Sequence, residues 1–373
     1  MKLSANYGIN NNKKTINMKK LSISLFMLLV MTVGTQAKSW KIGPSSVNGM
    51  DFDDINAAVA SDKVGTGDTL YLDQYFSTSD KQIVTKKLVI IGTGYDTSFT
   101  DEQVVATLNG NLQLKVDGIQ VKSCRLTDVY FYADECVIDR CYTQSIQIGA
   151  VPNGKNYIYS CYITGVVGNQ VESSSSISYD GTTTKTYVKA QFDIQNCVFY
   201  RTSNCIQYLT NSIVNNNTFR MVTSSSSNYC LNNLDNSQIT NNIIYGAYNS
   251  GSSNYCLASG IYAVGSGNTI EHNIMSQSVP SNYPNNKMGS NILSLFTQTG
   301  NYSDYYKLKT NVTDNFALTY GTDGKEVGCH GGMFGCPSGG RALYIPYFTK
   351  VVVGQRSENG KLPVSLEVKI QDK

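Results

Sequence analysis

Proline is nearly absent, with seven in 373 residues. Strands stacked edge to edge need every backbone donor and proline supplies none, so its scarcity leaves an extended stacked sheet open to this chain. Histidine occurs only at His272 and His330, and no Cys–His spacing is typical of zinc, which argues against a transition-metal centre. Charged residues make up 15% and nearly balance, 30 basic against 27 acidic, and no long like-charge run follows the first 20 residues. That distribution offers no footprint for nucleic acid. Past Met31 no apolar run is long enough to span a bilayer. Trp40 is the single tryptophan, whereas tyrosine is plentiful at 26.

What the chain does have is a repeat. Val214-Asn215-Asn216-Asn217-Thr218-Phe219 reads as an aliphatic residue, two residues, Asn, one residue and an apolar residue. Ile239…Asn242…Ile244, Ile270…Asn273…Met275 and Val312…Asn315…Ala317 repeat it downstream. Upstream, Cys replaces Asn in Val121…Cys124…Leu126, Ile138…Cys141…Thr143, Ile158…Cys161…Ile163 and Ile194…Cys197…Phe199. The intervals between these key residues are 17, 20, 36, 20, 25, 31 and 42, so a constant short unit is joined by connections of varying length. Solenoids behave in this way. A second column, Cys205, Cys230 and Cys256, keeps step with the first, its first two members preceding Asn217 and Asn242 by 12 residues. The key residue is expected at a tight turn, where Asn tolerates left-handed dihedrals and bonds to the Asn of the next coil. The column is therefore read as structural.

Lys19-Lys20 followed by the apolar run Leu21 to Met31, with Thr35-Gln36-Ala37 as a small-residue cleavage site, reads as a secretory signal over residues 18–37. Residues 1–17 precede Met18 and read as a non-native leader. Export would ordinarily turn ten cysteines into disulfides. Seven of them sit in repeat columns, however, where stacking separates equivalent residues by about 4.8 Å with parallel side chains, unsuited to bridging. These are expected to be buried, unbridged thiols. Cys329 and Cys336 flank a Gly-rich loop outside the columns, and a bridge closing that loop is expected.

Phe52, Ile55, Ala58 and Val59 fall at helical spacing behind Asp51, Asp53 and Asp54, giving a short amphipathic helix able to cap the first coil. The domain plan is a solenoid with this cap over residues 38–320, then a Gly-rich C-terminal cap with terminal strands over 321–373, including the alternating Val364 to Ile370. The low-complexity stretches Ser173 to Ser176, Ser224 to Ser227 and Gly246 to Asn254 fall between columns as projecting loops; the 36-residue interval between Cys161 and Cys197 holds either a long loop or one further coil.

The repeats resemble those of right-handed parallel β-helix proteins, the pectate-lyase-like superfamily. The segment from Phe52 through Asp68-Thr69-Leu70-Tyr71-Leu72 to Gly92-Thr93-Gly94-Tyr95-Asp96 is similar to the N-terminal cap of that group. The stretch from Gly328-Cys329-His330-Gly331-Gly332 to Tyr344-Ile345-Pro346 resembles the end of secreted Bacteroidetes β-helix proteins of mostly undefined role. The resemblance implies an all-β, right-handed parallel β-helix with a helix cap and a small C-terminal β appendage. It does not fix an activity, because this superfamily hosts lyases, hydrolases, epimerases and non-catalytic proteins.

A lyase of this group uses Arg or Lys as base, often with Ca2+ held by acidic residues. The candidates here are Asp139, Arg140, Arg201 and Arg220, beside Asp134 and Glu135. A polygalacturonase-like Asp cluster with a Gly-His-Gly element is missing from the central coils. The other reading rests on tyrosine. Tyr157, Tyr159 and Tyr162 surround Cys161, and Tyr245, Tyr248, Tyr255 and Tyr262 crowd the next loops, rings suited to stacking on sugars. Together these features imply an exported, non-catalytic protein binding a polysaccharide, a cell-surface glycan or another surface through loops and a Tyr-rich flank. The alternatives are a polysaccharide lyase acting on uronate-containing glycans by β-elimination, and a structural cell-surface element. No cofactor is expected except Ca2+ under the lyase reading.

Overall fold

The computed structural model describes residues 37–96, 104–149, 154–168, 172–177, 183–201, 204–221, 230–246, 265–276, 283–289, 291–297, 306–311, 314–334, 336, 340, 347–353 and 364–369. The expected leader and the signal segment up to Gln36 lie outside these residues. The chain is a parallel β-helix. Ten strands form one parallel sheet, here sheet A, and eleven form a second, sheet B, each strand pairing with its counterpart one coil away. Ile138 of Val137–Asp139 lies between Val121 and Ile158, and Ile194 follows Ile158 directly. Coil equivalents are thus the repeat positions read from the sequence. Among the described residues the 36-residue interval adds no further coil to sheet A, where Lys155–Tyr159 pairs directly with Gln191–Gln195; it carries the antiparallel pair Glu172–Ile177 with Thr183–Tyr187. A third face is built from the parallel pair Ile206–Thr210 and Leu231–Asp235, which places Cys205 beside Cys230. Cys256 and the loops around Ser224 and Gly246 to Asn254 lie outside the described residues.

The corner from sheet A to sheet B explains the key column. Ser123, Arg140, Ser160, Asn196, Asn216, Asn241 and His272 all hold left-handed backbone, with φ between 51° and 58°. Each immediately precedes a column residue. The sharp turn therefore belongs to the preceding residue, not to the key Asn or Cys as the pattern suggested. The column residue instead turns its side chain inward to the neighbouring coil's backbone. Oδ1 of Asn217 accepts from Cys197 N at 2.9 Å, that of Asn242 from Asn217 N at 2.8 Å, and that of Asn273 from Asn242 N at 2.9 Å. The thiol half does the same weakly: Cys124 N approaches Cys141 Sγ at 3.5 Å, and Cys141 N and Cys161 N approach the next sulfur at 3.4 Å. Cys is admitted because this position needs an acceptor and small volume, not left-handed dihedrals.

The last rung differs from expectation. Asn273 N donates to Asn286 Oδ1 at 3.0 Å, so the column ends at Asn286, 13 residues on. Asn315 is no part of it; its Nδ2 bonds the Leu295 and Lys309 carbonyls in the segment that follows the coils. Tyr283 stands where the pattern asks for an aliphatic residue before Asn286, which hid the true rung. A third column, unread in the sequence, sits at the entry to sheet A. Asn156 Oδ1 accepts from Cys136 N, Ser212 Oγ from Phe192 N, Ser237 Oγ from Ser212 N and Asn268 Oδ1 from Ser237 N, all at 2.9 to 3.0 Å. Left-handed Glu135, Asn211, Asn236 and Gly267 precede four of these residues.

Between the columns, Val121, Ile138, Ile158, Ile194, Val214 and Ile239 stack in the interior with no exposure, each burial contributing about 2 kcal/mol. Phe199 and Phe219 stack at 4.6 Å. At the N-terminal end the helix is Ile55–Ala60, shorter than its apolar spacing suggested because Asp54 caps it, accepting from Ala57 N at 2.7 Å. Asn56 covers the edge of the strand Gln82–Val84, taking the Ile83 N–H at 2.8 Å and donating to Lys81 O at 2.8 Å. This blocks addition of a further strand.

A second hydrophobic cluster lies outside the coils. Ile292, Leu295, Phe296, Tyr306, Leu308, Ala317, Val327 and Cys329 pack on Tyr162, Val198, Ile243 and Ile274 of sheet B's outer face. The Gly-rich segment expected as an end cap runs along the flank as a strap. His272 Nδ1 donates to Tyr320 O at 2.9 Å, Asn241 Oδ1 accepts from Thr322 N at 2.9 Å, Asn216 Nδ2 donates to Glu326 O at 3.4 Å, and Asn196 Nδ2 donates to Cys329 O at 2.9 Å and to Gly331 O. The strap thus reads the left-handed corner residues coil by coil. Tyr347–Val353 and Val364–Lys369 pair as an antiparallel hairpin.

Candidate functional site

Parallel pairing sets the outer face of sheet A in two rows. One runs Gln120, Val137, Tyr157, Asp193, Ile213, Gln238; the other runs Lys122, Asp139, Tyr159, Gln195, Asn215, Thr240. Side chains alternate along each strand, so the rows face outward while Ile138, Ile158 and Ile194 between them face the core.

The rows are joined by hydrogen bonds across the coils. Tyr159 Oη donates to Asp193 Oδ2 at 3.2 Å and Gln195 Nε2 to Asp193 Oδ1 at 2.7 Å. Asn215 Nδ2 reaches Gln195 Oε1 at 3.5 Å, and Asn215 Oδ1 accepts from Thr240 Oγ1 at 3.1 Å and Asn241 Nδ2 at 3.0 Å. Tyr157 and Tyr159 are tilted neighbours at 5.9 Å. The strap borders this face, Phe334 stacking on Tyr159 at 4.3 Å. Burial, reinforced by the Asp193 charge, pushes the Tyr159 phenol well above its ordinary range, so it is a committed donor at neutral pH.

No protein-family model, curated protein or solved structure matches the chain. The site must be read from its own residues.

Of the expected catalytic residues, Asp139 and Arg140 are brought together as an ion pair at 2.6 Å. Burial raises the Asp139 pKa; Arg140 and Lys122 oppose it without cancelling it. Arg140 also holds the left-handed corner, its N–H donating to Tyr159 O at 2.9 Å. Arg220 is on the outer face of sheet B, its guanidinium 5.2 Å from the Tyr200 ring and Nη1 3.3 Å from Tyr306 Oη, so it does not join the Asp139 pair. Arg201 occupies the strand Val198–Arg201, and its side chain lies outside the described residues.

The tyrosines divide. Tyr157 and Tyr159 are half-exposed on sheet A. Tyr162 is only 5% exposed, stacked on Tyr142 at 5.8 Å beneath the second cluster, and cannot serve as a sugar platform. Tyr245 packs against that same cluster. Tyr248, Tyr255 and Tyr262 fall outside the described residues. The acceptors Asp193, Gln195 and Asn215 were missed because their hydrogen bonds join residues up to 34 positions apart; only the register between coils reveals the row. Two clefts of about 370 and 290 Å³ lie at the N-terminal end, around Met50 and Asp51 and around Tyr71 and Asp73, and none of the expected catalytic or ligand-binding residues lines them.

No disulfide joins Cys329 to Cys336, so the expected bridge is not formed in this structure. Burial pushes the Cys329 thiol up, but a hydrogen bond from Cys336 and the nearby His330 outweigh it and hold it well below its ordinary range.

Proposed function

We propose that the chain is an exported, non-catalytic β-helix protein of the pectate-lyase-like kind that holds a glycan against the outer face of sheet A. The observation that carries this reading is the hydrogen-bonded row Tyr159, Asp193, Gln195, Asn215 and Thr240 beside the half-exposed Tyr157 ring. Carboxylate, amide and hydroxyl groups fixed at the spacing of adjacent strands, about 4.8 Å, suit successive sugar hydroxyls. An aromatic ring beside them supplies an apolar surface with a polar edge. Each group is held by a neighbouring coil, so little side-chain entropy is lost on binding.

The Asp139–Arg140 pair is the observation on the side of a lyase. Its guanidinium is engaged by Asp139 and its backbone forms a corner, which suits positioning an acidic sugar better than abstracting a proton. A glycan array with the full chain tests the reading, followed by titration calorimetry on any hit. Tyr157→Ala should weaken binding by about tenfold, the effect of losing a contact worth roughly 1.4 kcal/mol. Binding to no glycan, or unsaturated uronate products that vanish in Arg140→Ala, would overturn it.

A further inference from the structure

We propose that Cys329, His330 and Cys336 form a binding site for a thiophilic metal cation of the Zn2+ or Cu+ class. One donor atom from each, two thiol sulfurs and an imidazole nitrogen, lies within 4.8 Å of the other two. Tetrahedral coordination with bonds of about 2.3 Å to sulfur and about 2.0 Å to nitrogen separates such donors by roughly 3.5–3.8 Å, so closure onto an ion needs only side-chain adjustment. A disulfide would draw the sulfurs to about 2.05 Å, whereas Cys329 and Cys336 are not bridged. Two thiolates and an imidazole are a soft to borderline set, which selects Zn2+ or Cu+ over Mg2+ or Ca2+.

The loop is held from both sides by the coils. Cys329 N donates to Thr218 Oγ1 at 3.0 Å, and Asn196 Nδ2 bonds the Cys329 and Gly331 carbonyls. Phe334 stacks on Tyr159. Gly332 reverses the chain with φ +69°, and a Cβ there would meet Asn216 Oδ1 at 2.8 Å. The donors of a Cys-His-x5-Cys sequence unlike a zinc finger therefore converge. The Cys329 end of the site is thus anchored to the coils, the kind of support a metal site needs. With three protein donors, a fourth position is left for an exogenous ligand. The proposal is independent of the glycan reading.

The test uses the full chain, reduced and stripped with a chelator, then titrated with Co2+ as an absorbing probe. The expected result is one equivalent bound, with a near-ultraviolet thiolate-to-cobalt band and visible d–d bands, displaced by Zn2+. Cu+ in a competition arm with a coloured chelator separates the two cations; tight binding of either supports the site. His330→Ala and Cys336→Ser should each weaken binding at least tenfold while the far-ultraviolet circular dichroism stays that of the wild type. Should one variant misfold, the other carries the comparison. No cobalt band and no Cu+ retention by the reduced wild type would overturn the proposal. So would undiminished binding in the Cys329→Ser, Cys336→Ser double variant, which would assign the metal to the column thiols, or a Cys329–Cys336 bridge found by peptide mapping of the exported protein.

Discussion

Replacing Asn242 with Ala isolates what one rung of the amide column contributes. Asn242 is fully buried. Its Oδ1 accepts from Asn217 N at 2.8 Å and from Asn217 Nδ2 at 3.1 Å. Its Nδ2 donates to Val214 O at 2.8 Å and to Asn273 Oδ1 at 2.9 Å. Alanine removes all four bonds and leaves the Asn217 N–H in the interior without its acceptor, while the Val214 carbonyl keeps its ladder pairing with the strand Gln238–Thr240. The orphaned donor costs about 1–3 kcal/mol and each of the other lost bonds about 1 kcal/mol, so the variant should lose about 4 kcal/mol. Asn242→Cys, which restores a sulfur acceptor of the kind used upstream, should lose about half as much. Urea unfolding followed by circular dichroism reads both, with an unchanged slope taken as the sign that only stability has moved. A loss under 1 kcal/mol for Asn242→Ala, or a Cys variant no better than the Ala variant, would refute the reasoning that the column works through its acceptors.

Cys197 stands where sulfur gives way to amide, so Cys197→Asn should be accepted with a change in stability under about 1 kcal/mol, since the new Oδ1 takes over the Cys161 N–H; a loss of several kcal/mol by urea unfolding would show that the two halves have different corners. Asn196→Ala removes the donor to two strap carbonyls, and amide exchange in Cys329 to Gly331 should quicken by roughly tenfold or more, while exchange in sheet A stays unchanged. Asp68 accepts from Lys38 N, Trp40 Nε1 and Gly65 N; burial pushes its pKa up, but these bonds outweigh burial and hold it below the ordinary range. A depressed carboxylate stabilises the fold above its unfolded pKa of about 3.9 and loses that contribution as pH falls through the folded value. Thermal unfolding of Asp68→Asn should therefore begin lower at pH 7 and depend less on pH between pH 5 and pH 2 than that of the wild type; equal slopes would contradict this.

The coil architecture was legible because a solenoid writes three-dimensional neighbours into sequence as a recurring unit. Val121, Ile138, Ile158, Ile194, Val214, Ile239 and Ile270 were each identified from the spacing alone, and each pairs with the next in the structure. Two details escaped for physical reasons. The left-handed residue is the one before the column, a distinction that composition blurs because Asn occupies both places at Asn216-Asn217 and Asn241-Asn242. Asn315 fitted the pattern while Asn286 did not, because the last coil is short and Tyr283 fills the aliphatic position. The candidate site was less legible. Its row comes from register, and the strap that buries Tyr162 and brings Phe334 onto Tyr159 returns over the coils from more than 100 residues downstream, leaving no local signal.

The central claim is that a glycan lies along the outer face of sheet A, spanning several coils. Binding measured by calorimetry against an oligosaccharide series, taken from the best array hit, tests it most directly. Affinity should rise with chain length until the row from Tyr157 to Thr240 is covered, with Thr240→Ala weakening only the longer members and Tyr157→Ala weakening all. Affinity independent of length, or equal for both variants and the wild type, would contradict the account.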